Sequence, residues 1–107
     1  MISVIIPVFN SEKTLFACLS SLLNQKIRDD FEVIVVNDAS TDSTEEKIME
    51  FKKKIVYIKN KENKGPAFSR NLGAKNAKGK IFCFIDADCV AEKNWLFEMS
   101  RPFEDKN

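Results

Sequence analysis

Asp86 and Asp88 follow the apolar run Ile81-Phe82-Cys83-Phe84-Ile85 and are separated only by Ala87. In extended backbone, residues two apart point to the same side, so the two carboxylates would share one small space. Like charges so placed repel each other, and burial worsens the repulsion unless a cation sits between them. An all-oxygen ligand set completed by water suits Mg2+ or Mn2+, above all where the ion also grips phosphate oxygens. A solvated turn after a strand accounts for the same tripeptide without a metal, so the rest of the chain must decide. The chain contains no histidine, which excludes a Cys/His zinc site, a Ser-His-Asp triad and a histidine general base. Any base is therefore a carboxylate or comes from outside the chain.

The elements that must position these carboxylates are legible as an alternation. Ser3-Val4-Ile5-Ile6-Pro7 closes on a proline, which predicts a first strand over residues 2–7. Ser11 as cap and Glu12 in the first turn then open a helix in which Leu15, Leu19, Leu22 and Leu23 recur, up to Gln25. Phe31 to Val36 is a β-branched run of the fully buried kind, ending in the polar loop Asn37 to Thr44. Ser43 with Glu46 fits a capping box, and the helix carrying Ile48 and Phe51 runs out in Lys52-Lys53-Lys54. A third strand is expected over 55–58, and a helix with Pro66 as its first residue offers small residues for close approach to a sheet. Gly79 reads as the left-handed cap of that helix. The Ile81 run is the fourth strand, and Trp95, Leu96 and Met99 mark a last short helix before a polar tail from Arg101 onward. Strands alternating with helices imply a mainly parallel sheet covered on both faces, with right-handed crossovers. Asn10, Asp38, Asp86 and Asp88 all fall beyond the carboxyl ends of strands, where open α/β sheets bind ligands.

Composition bounds the partners. The 107 residues suit one domain, and 17 basic against 16 acidic residues leave a net charge of +1. That balance argues against nucleic acid and gives no bulk attraction to membranes, so partners are chosen by a site. No apolar run is long enough to span a bilayer, and the apolar start lacks the basic flank of a signal peptide, so a cytoplasmic protein is expected. Three cysteines form no disulfide framework; Cys18 and Cys83 read as small core residues.

Three motifs in order carry a family resemblance: Ser3 to Asn10, then Val35 to Asp42, then Asn63 to Gly73 leading into Phe84-Ile85-Asp86-Ala87-Asp88. Their order and spacing resemble the nucleotide-binding half of glycosyltransferase family 2, over nearly the whole chain. The resemblance implies a GT-A fold, a Rossmann-like three-layer α/β/α arrangement truncated here after the metal-motif strand. It implies a nucleoside-diphosphate-sugar donor, most often a UDP-sugar, a glycan or lipid-linked acceptor, Mn2+ or Mg2+, and inversion at the anomeric centre, as in surface polysaccharide synthesis. Carried over position by position, it places Pro7, Val8 and Asn10 beside the nucleotide and Asp38 on the base, where a carboxylate can accept the uracil N–H. Arg70 and Lys64 become candidates for the diphosphate, Asp86 for the ribose or metal, and Asp88 for the direct metal ligand. Two positions depart from the pattern: Asn37 stands where an aspartate is often found, and Ala39 where glycine is usual. The second asks whether the loop still adopts φ > 0 there.

The family's general base lies in an acceptor-binding half beyond the second metal aspartate, and this chain ends at Asn107. Glu92 and Glu98 read as helix-surface residues and not as substitutes. Two readings follow: a donor-binding domain of a glycosyltransferase, inactive alone, which reaches the inner membrane face through missing parts or partners; or a non-catalytic module of the same fold. The second would associate, for example as a homo-oligomer, through apolar surface that an absent acceptor half leaves exposed. A dinucleotide-binding domain is disfavoured because Pro7 stands where a glycine-rich turn belongs, and a phosphoacceptor domain because the acidic pair follows the last strand.

Overall fold

A computed structural model describes residues 1–104. In chain order it comprises β1 (Ile2–Val8), α1 (Leu15–Leu23), β2 (Phe31–Asn37), α2 (Thr44–Met49), a 3-10 turn (Lys52–Lys54), β3 (Val56–Lys59), α3 (Pro66–Lys75), β4 (Ile81–Phe84) and α4 (Trp95–Glu104). The four strands run parallel in the order β3-β2-β1-β4. Ile5 of β1 pairs with Ile34 of β2 on one side and Phe84 of β4 on the other, so all carboxyl ends open toward one rim.

Period-2 alternation divides the buried strands between two cores. Val4, Ile6, Val8, Val33 and Val35 face Leu15, Leu19, Leu22, Ile48 and Leu96 from α1, α2 and α4. Ile5, Ile34 and Val36 face the other way, onto Leu72 and Ala74 of α3. These are the two covered faces that the continuous apolar strands require. Gly73 allows α3 to lie close, since a Cβ there would come within 2.6 Å of the Ile5 Cγ2. On the α3 side the β4 edge stays bare: Phe82 and Phe84 are 42% and 44% exposed.

Four local expectations are corrected. Helix α1 starts at Leu15, because the Ser11 hydroxyl donates to the Phe9 carbonyl and its own carbonyl takes Thr14 and Leu15 N–H in a preceding turn. The capping box at Ser43 is absent: Asp42 Oδ1 accepts the Thr44 N–H and hydroxyl one residue earlier. Gly79 does not have a positive φ. It is glycine because a Cβ would meet the Met1 carbonyl and Ser3 Oγ, each at 2.6 Å, where the chain crosses the start of β1. The expected tail from Arg101 is instead helical to Glu104, past Pro102, with Arg101 held by Glu98 at 3.3 Å and lying over the Phe97 ring. Its last residues, 105–107, lie outside the described part.

Candidate functional site: a nucleotide and metal cleft at the strand ends

The loop after β1 is tied to the loop after β2. Asn10 sits in the left-handed region at φ 46°, a conformation its short amide tolerates. Its N–H donates to Ser40 Oγ at 3.0 Å and its Oδ1 accepts the Thr41 N–H at 2.8 Å. Ser11 N–H donates to Thr44 Oγ1 at 2.8 Å. Together these bonds hold two polar loops as one wall.

Two cavities open beside this wall. One, of about 640 Å3, is lined by Pro7, Phe9, the turn Asn10 to Thr14, Asp42 and the segment Asp86 to Asp88. The other, of about 370 Å3, is lined by Pro7, Val8, Phe9, Asp38, Asn63, Gly65 and Pro66. Pro7 and Phe9 belong to both linings, so the cavities are halves of one cleft, with Asp38 in one half and the acidic pair in the other. Phe9 was not singled out from the sequence. Its signal was there, a large aromatic in a polar loop, and at 47% exposed it offers a ring face on the ridge between the halves.

Asp38 is buried, and its carboxylate is ordered by the segment before α3. Oδ1 accepts the Asn60 amide and the Lys64 N–H, both at 2.8 Å, and Oδ2 accepts the Gly65 N–H at 2.9 Å. Burial alone would raise its pKa, but the donors of Lys64, Asn60 and Gly65 outweigh that and hold it below the usual carboxylate range. An ionised carboxylate has about four acceptor sites. Three are occupied, leaving one on Oδ2 at the lining of the smaller cavity. Gly65, with φ 94°, adopts the left-handed backbone that precedes Pro66.

The two departures from the family pattern have different consequences. Ala39 does adopt φ 60°, so the loop keeps the left-handed turn at a steric cost. Asn37 is fully buried. It donates from Nδ2 to the Tyr57 hydroxyl at 3.0 Å and accepts the Ser40 N–H at 3.1 Å, while that hydroxyl donates to Glu45 at 2.7 Å.

The acidic pair converges by a route other than the expected one. Strand β4 ends at Phe84, and after the bond from Ile85 N–H to the Ile5 carbonyl the chain turns, with Cys89 N–H donating to the Asp86 carbonyl at 3.1 Å. Strand alternation therefore does not aim the carboxylates; the turn does, anchored by the buried Ala87. Ligand atoms of Asp86, Asp88 and Cys89, all exposed, lie within 4.8 Å of one another. Both carboxylates are exposed, and small side-chain rotations would bring their oxygens to the about 2.0–2.1 Å at which Mg2+ holds its ligands, so the residues fit a divalent ion with oxygen ligands from both aspartates. Cys89 was not foreseen at this site; its Sγ lies 3.6 Å from Asp88 Oδ1. Beneath the turn the Cys18 thiol is pushed up to about 12 by burial and then by the charges of Cys89, Asp88 and Asp86, consistent with an inert core cysteine.

Of the remaining expected site residues, Pro7, Val8 and Asn10 line the cleft. Arg70 is half-buried on α3 and lines neither half. The Lys64 ammonium pairs with Glu62 at 2.9 Å, and it is the Lys64 backbone that reaches the site.

The model of glycosyl transferase family 2 matches residues 3–107. The chain belongs to this family. It is 44% identical over 92 residues to a poly(ribitol-phosphate) beta-glucosyltransferase of Bacillus spizizenii, covering 81% of this chain and 14% of that protein. Among solved structures, S. aureus TarS 1-349 in complex with UDP-GlcNAc is 33% identical at a TM-score of 0.88, over 97% of this chain and 31% of that one. Mannosyltransferase PcManGT from Pyrobaculum calidifontis, in complex with GDP-Man and Mn2+, is 27% identical at a TM-score of 0.80, over 89% and 32% of the two chains. The family 2 chain thus has the GT-A fold and spans about a third or less of these proteins' lengths.

Proposed function

We propose that this chain binds the nucleoside-diphosphate-sugar donor, a UDP-sugar, of an inverting glycosyltransferase that transfers the sugar to a glycan or lipid-linked acceptor hydroxyl in surface polysaccharide synthesis. The observation that carries this reading is the divided cleft, with an ordered ionised carboxylate in one half, the acidic turn in the other and Phe9 between them. The base stacks on Phe9 and donates its N–H to the vacant acceptor site of Asp38, with Val8 and Pro7 as the floor. The ribose and diphosphate extend past Asn10 toward Asp86 and Asp88. Asp88, with Asp86, would hold Mn2+ or Mg2+, and that ion would supply neutralisation of the diphosphate. In the reaction the acceptor oxygen bonds the anomeric carbon, the bond from that carbon to the diphosphate breaks with its electron pair, and the hydroxyl proton passes to a base. We place that base outside these 107 residues.

The TarS complex with UDP-GlcNAc and the PcManGT complex with Mn2+ support the donor class and the metal. Free cysteines suit a reducing compartment, here the cytoplasm, and no helix among the described residues is long and apolar enough to cross a membrane. A second reading, a non-catalytic module that self-associates, is favoured by Phe82 and Phe84 exposed on the bare β4 edge. Calorimetric titration with UDP tests the shared claim: binding in Mn2+ that falls away in chelator is expected, and equal affinity in both removes the metal from the site. Sugar transfer or donor hydrolysis by the chain together with its acceptor half distinguishes the enzyme from the module.

A further inference from the structure

The half of the cleft assigned to the diphosphate is acidic. Glu12, Asp42, Asp86 and Asp88 line it, and among the described residues its lining holds one cation, Lys13. Each phosphate of a sugar donor is ionised at neutral pH, so this half repels its ligand unless cations intervene. An ion on the Asp86–Asp88 turn would neutralise only part of the summed charge of these carboxylates and the diphosphate. Neither Arg70 nor Lys64, the basic residues first assigned to the diphosphate, lines this half.

Lys13 is free to act. Two carboxylates of the same lining accept backbone N–H groups: Glu12 that of Ser43 at 3.2 Å, and Asp42 that of Thr44 at 2.9 Å. Lys13 itself makes no hydrogen bond or ion pair among the described residues. Its backbone is fixed, because the turn that carries it is closed by Thr14 and Leu15 N–H onto the Ser11 carbonyl, and Ser11 is tied to Thr44. A flexible cationic side chain is thus carried on a fixed turn at the cavity's lining.

We propose that Lys13, on the β1–α1 turn, binds the diphosphate of the donor, beside the charge that a divalent ion held by Asp86 and Asp88 would supply. The proposal rests on the donor-binding reading above. It assigns to Lys13 the part that the family resemblance gave to Arg70 and Lys64.

The test is a set of NMR chemical-shift titrations, which read millimolar affinities, of the parent, Lys13→Gln and Lys13→Arg with UDP and with uridine, in Mg2+. A lost charge-assisted contact to phosphate should weaken UDP about ten- to a hundredfold in Lys13→Gln and leave uridine within about twofold. Lys13→Arg should recover most of the UDP affinity, and the deficit of Lys13→Gln should shrink in high salt. Equal UDP affinity in parent and Lys13→Gln overturns this inference and leaves the donor site standing. Equal losses of UDP and uridine overturn it too, since Lys13 would then support the loop and not the phosphates. A parent that binds no UDP removes the donor-binding reading and this inference with it.

Discussion

Replacing Asp38 by asparagine keeps the shape of the side chain and exchanges one acceptor oxygen for a donor. The three N–H groups aimed at the carboxylate, at 2.8, 2.8 and 2.9 Å, determine which oxygen is lost. Placing the new NH2 at Oδ1 would set it against two donors, from Asn60 and Lys64; placing it at Oδ2 sets it against the Gly65 N–H alone. The second arrangement wins, and it leaves one part-buried N–H unpaired, a cost of about 1–3 kcal/mol in stability. It also removes the single vacant acceptor site, so uridine nucleotides should weaken by a similar ~1–3 kcal/mol, about 5- to 150-fold. Urea unfolding and calorimetry with UDP measure the two losses separately. The pH dependence adds a sign. Burial pulls the Asp38 pKa up, the donors of Lys64, Asn60 and Gly65 overcome this, and the folded value lies below the unfolded one. Its stabilisation is therefore complete above the unfolded carboxyl value of about 3.9 and is lost as pH falls through the folded value. The amide of Asp38→Asn takes up no proton, so the stability gap between parent and variant should narrow on acidification. A variant as stable as the parent that still binds UDP normally would refute the hydrogen-bond account of Asp38.

Two further substitutions probe the loop beyond β2. Ala39→Gly relieves a left-handed alanine at φ 60°, and even after the added chain entropy of glycine it should raise stability by about 0.5–1 kcal/mol, seen as a higher melting temperature. A lower one would show the strain to be absent. Asn37→Asp restores the residue often found in the family, yet an ionised aspartate cannot donate to the Tyr57 hydroxyl, whose proton already goes to Glu45. Stability at pH 7 should fall by about 1–3 kcal/mol in urea unfolding and recover as the new carboxyl is protonated in acid; a neutral effect at pH 7 would contradict the network.

Much of the frame was legible because the strands are continuous apolar runs and the crossovers carry helical periodicity. The parallel sheet, its two covered faces and the gathering of Asn10, Asp38, Asp86 and Asp88 at one rim all followed from that pattern. Local caps were not legible. Ser11 and Ser43 have the right residue types, but Ser11 is drawn into bonds with Phe9 and Thr44, and Asp42 reaches Thr44 ahead of Ser43. Those are tertiary contacts that spacing along the chain does not reveal. Gly79 misled for a similar reason: its need is room beside Ser3, 76 residues away in sequence, and not a positive φ. The acidic pair stood out by its composition, but the extended backbone that would aim both side chains alike does not persist: β4 ends before Asp86, and the turn onto Cys89 brings the side-chain atoms together. Lys13 became visible only when the loops were folded into a cleft, and the place of Phe9 between its two halves likewise.

We assign a divalent ion to Asp86 and Asp88, in the same cleft as the nucleotide. Paramagnetic broadening tests this most directly: substoichiometric Mn2+ is added to the 15N-labelled protein with UDP, and the backbone amides that lose intensity are located. Early loss is expected at the amides of Asp86 to Cys89 and of the Asn10 to Thr14 turn, with the β3 edge unaffected and the pattern abolished in Asp88→Asn. Broadening centred elsewhere, or an unchanged pattern in Asp88→Asn, would contradict it.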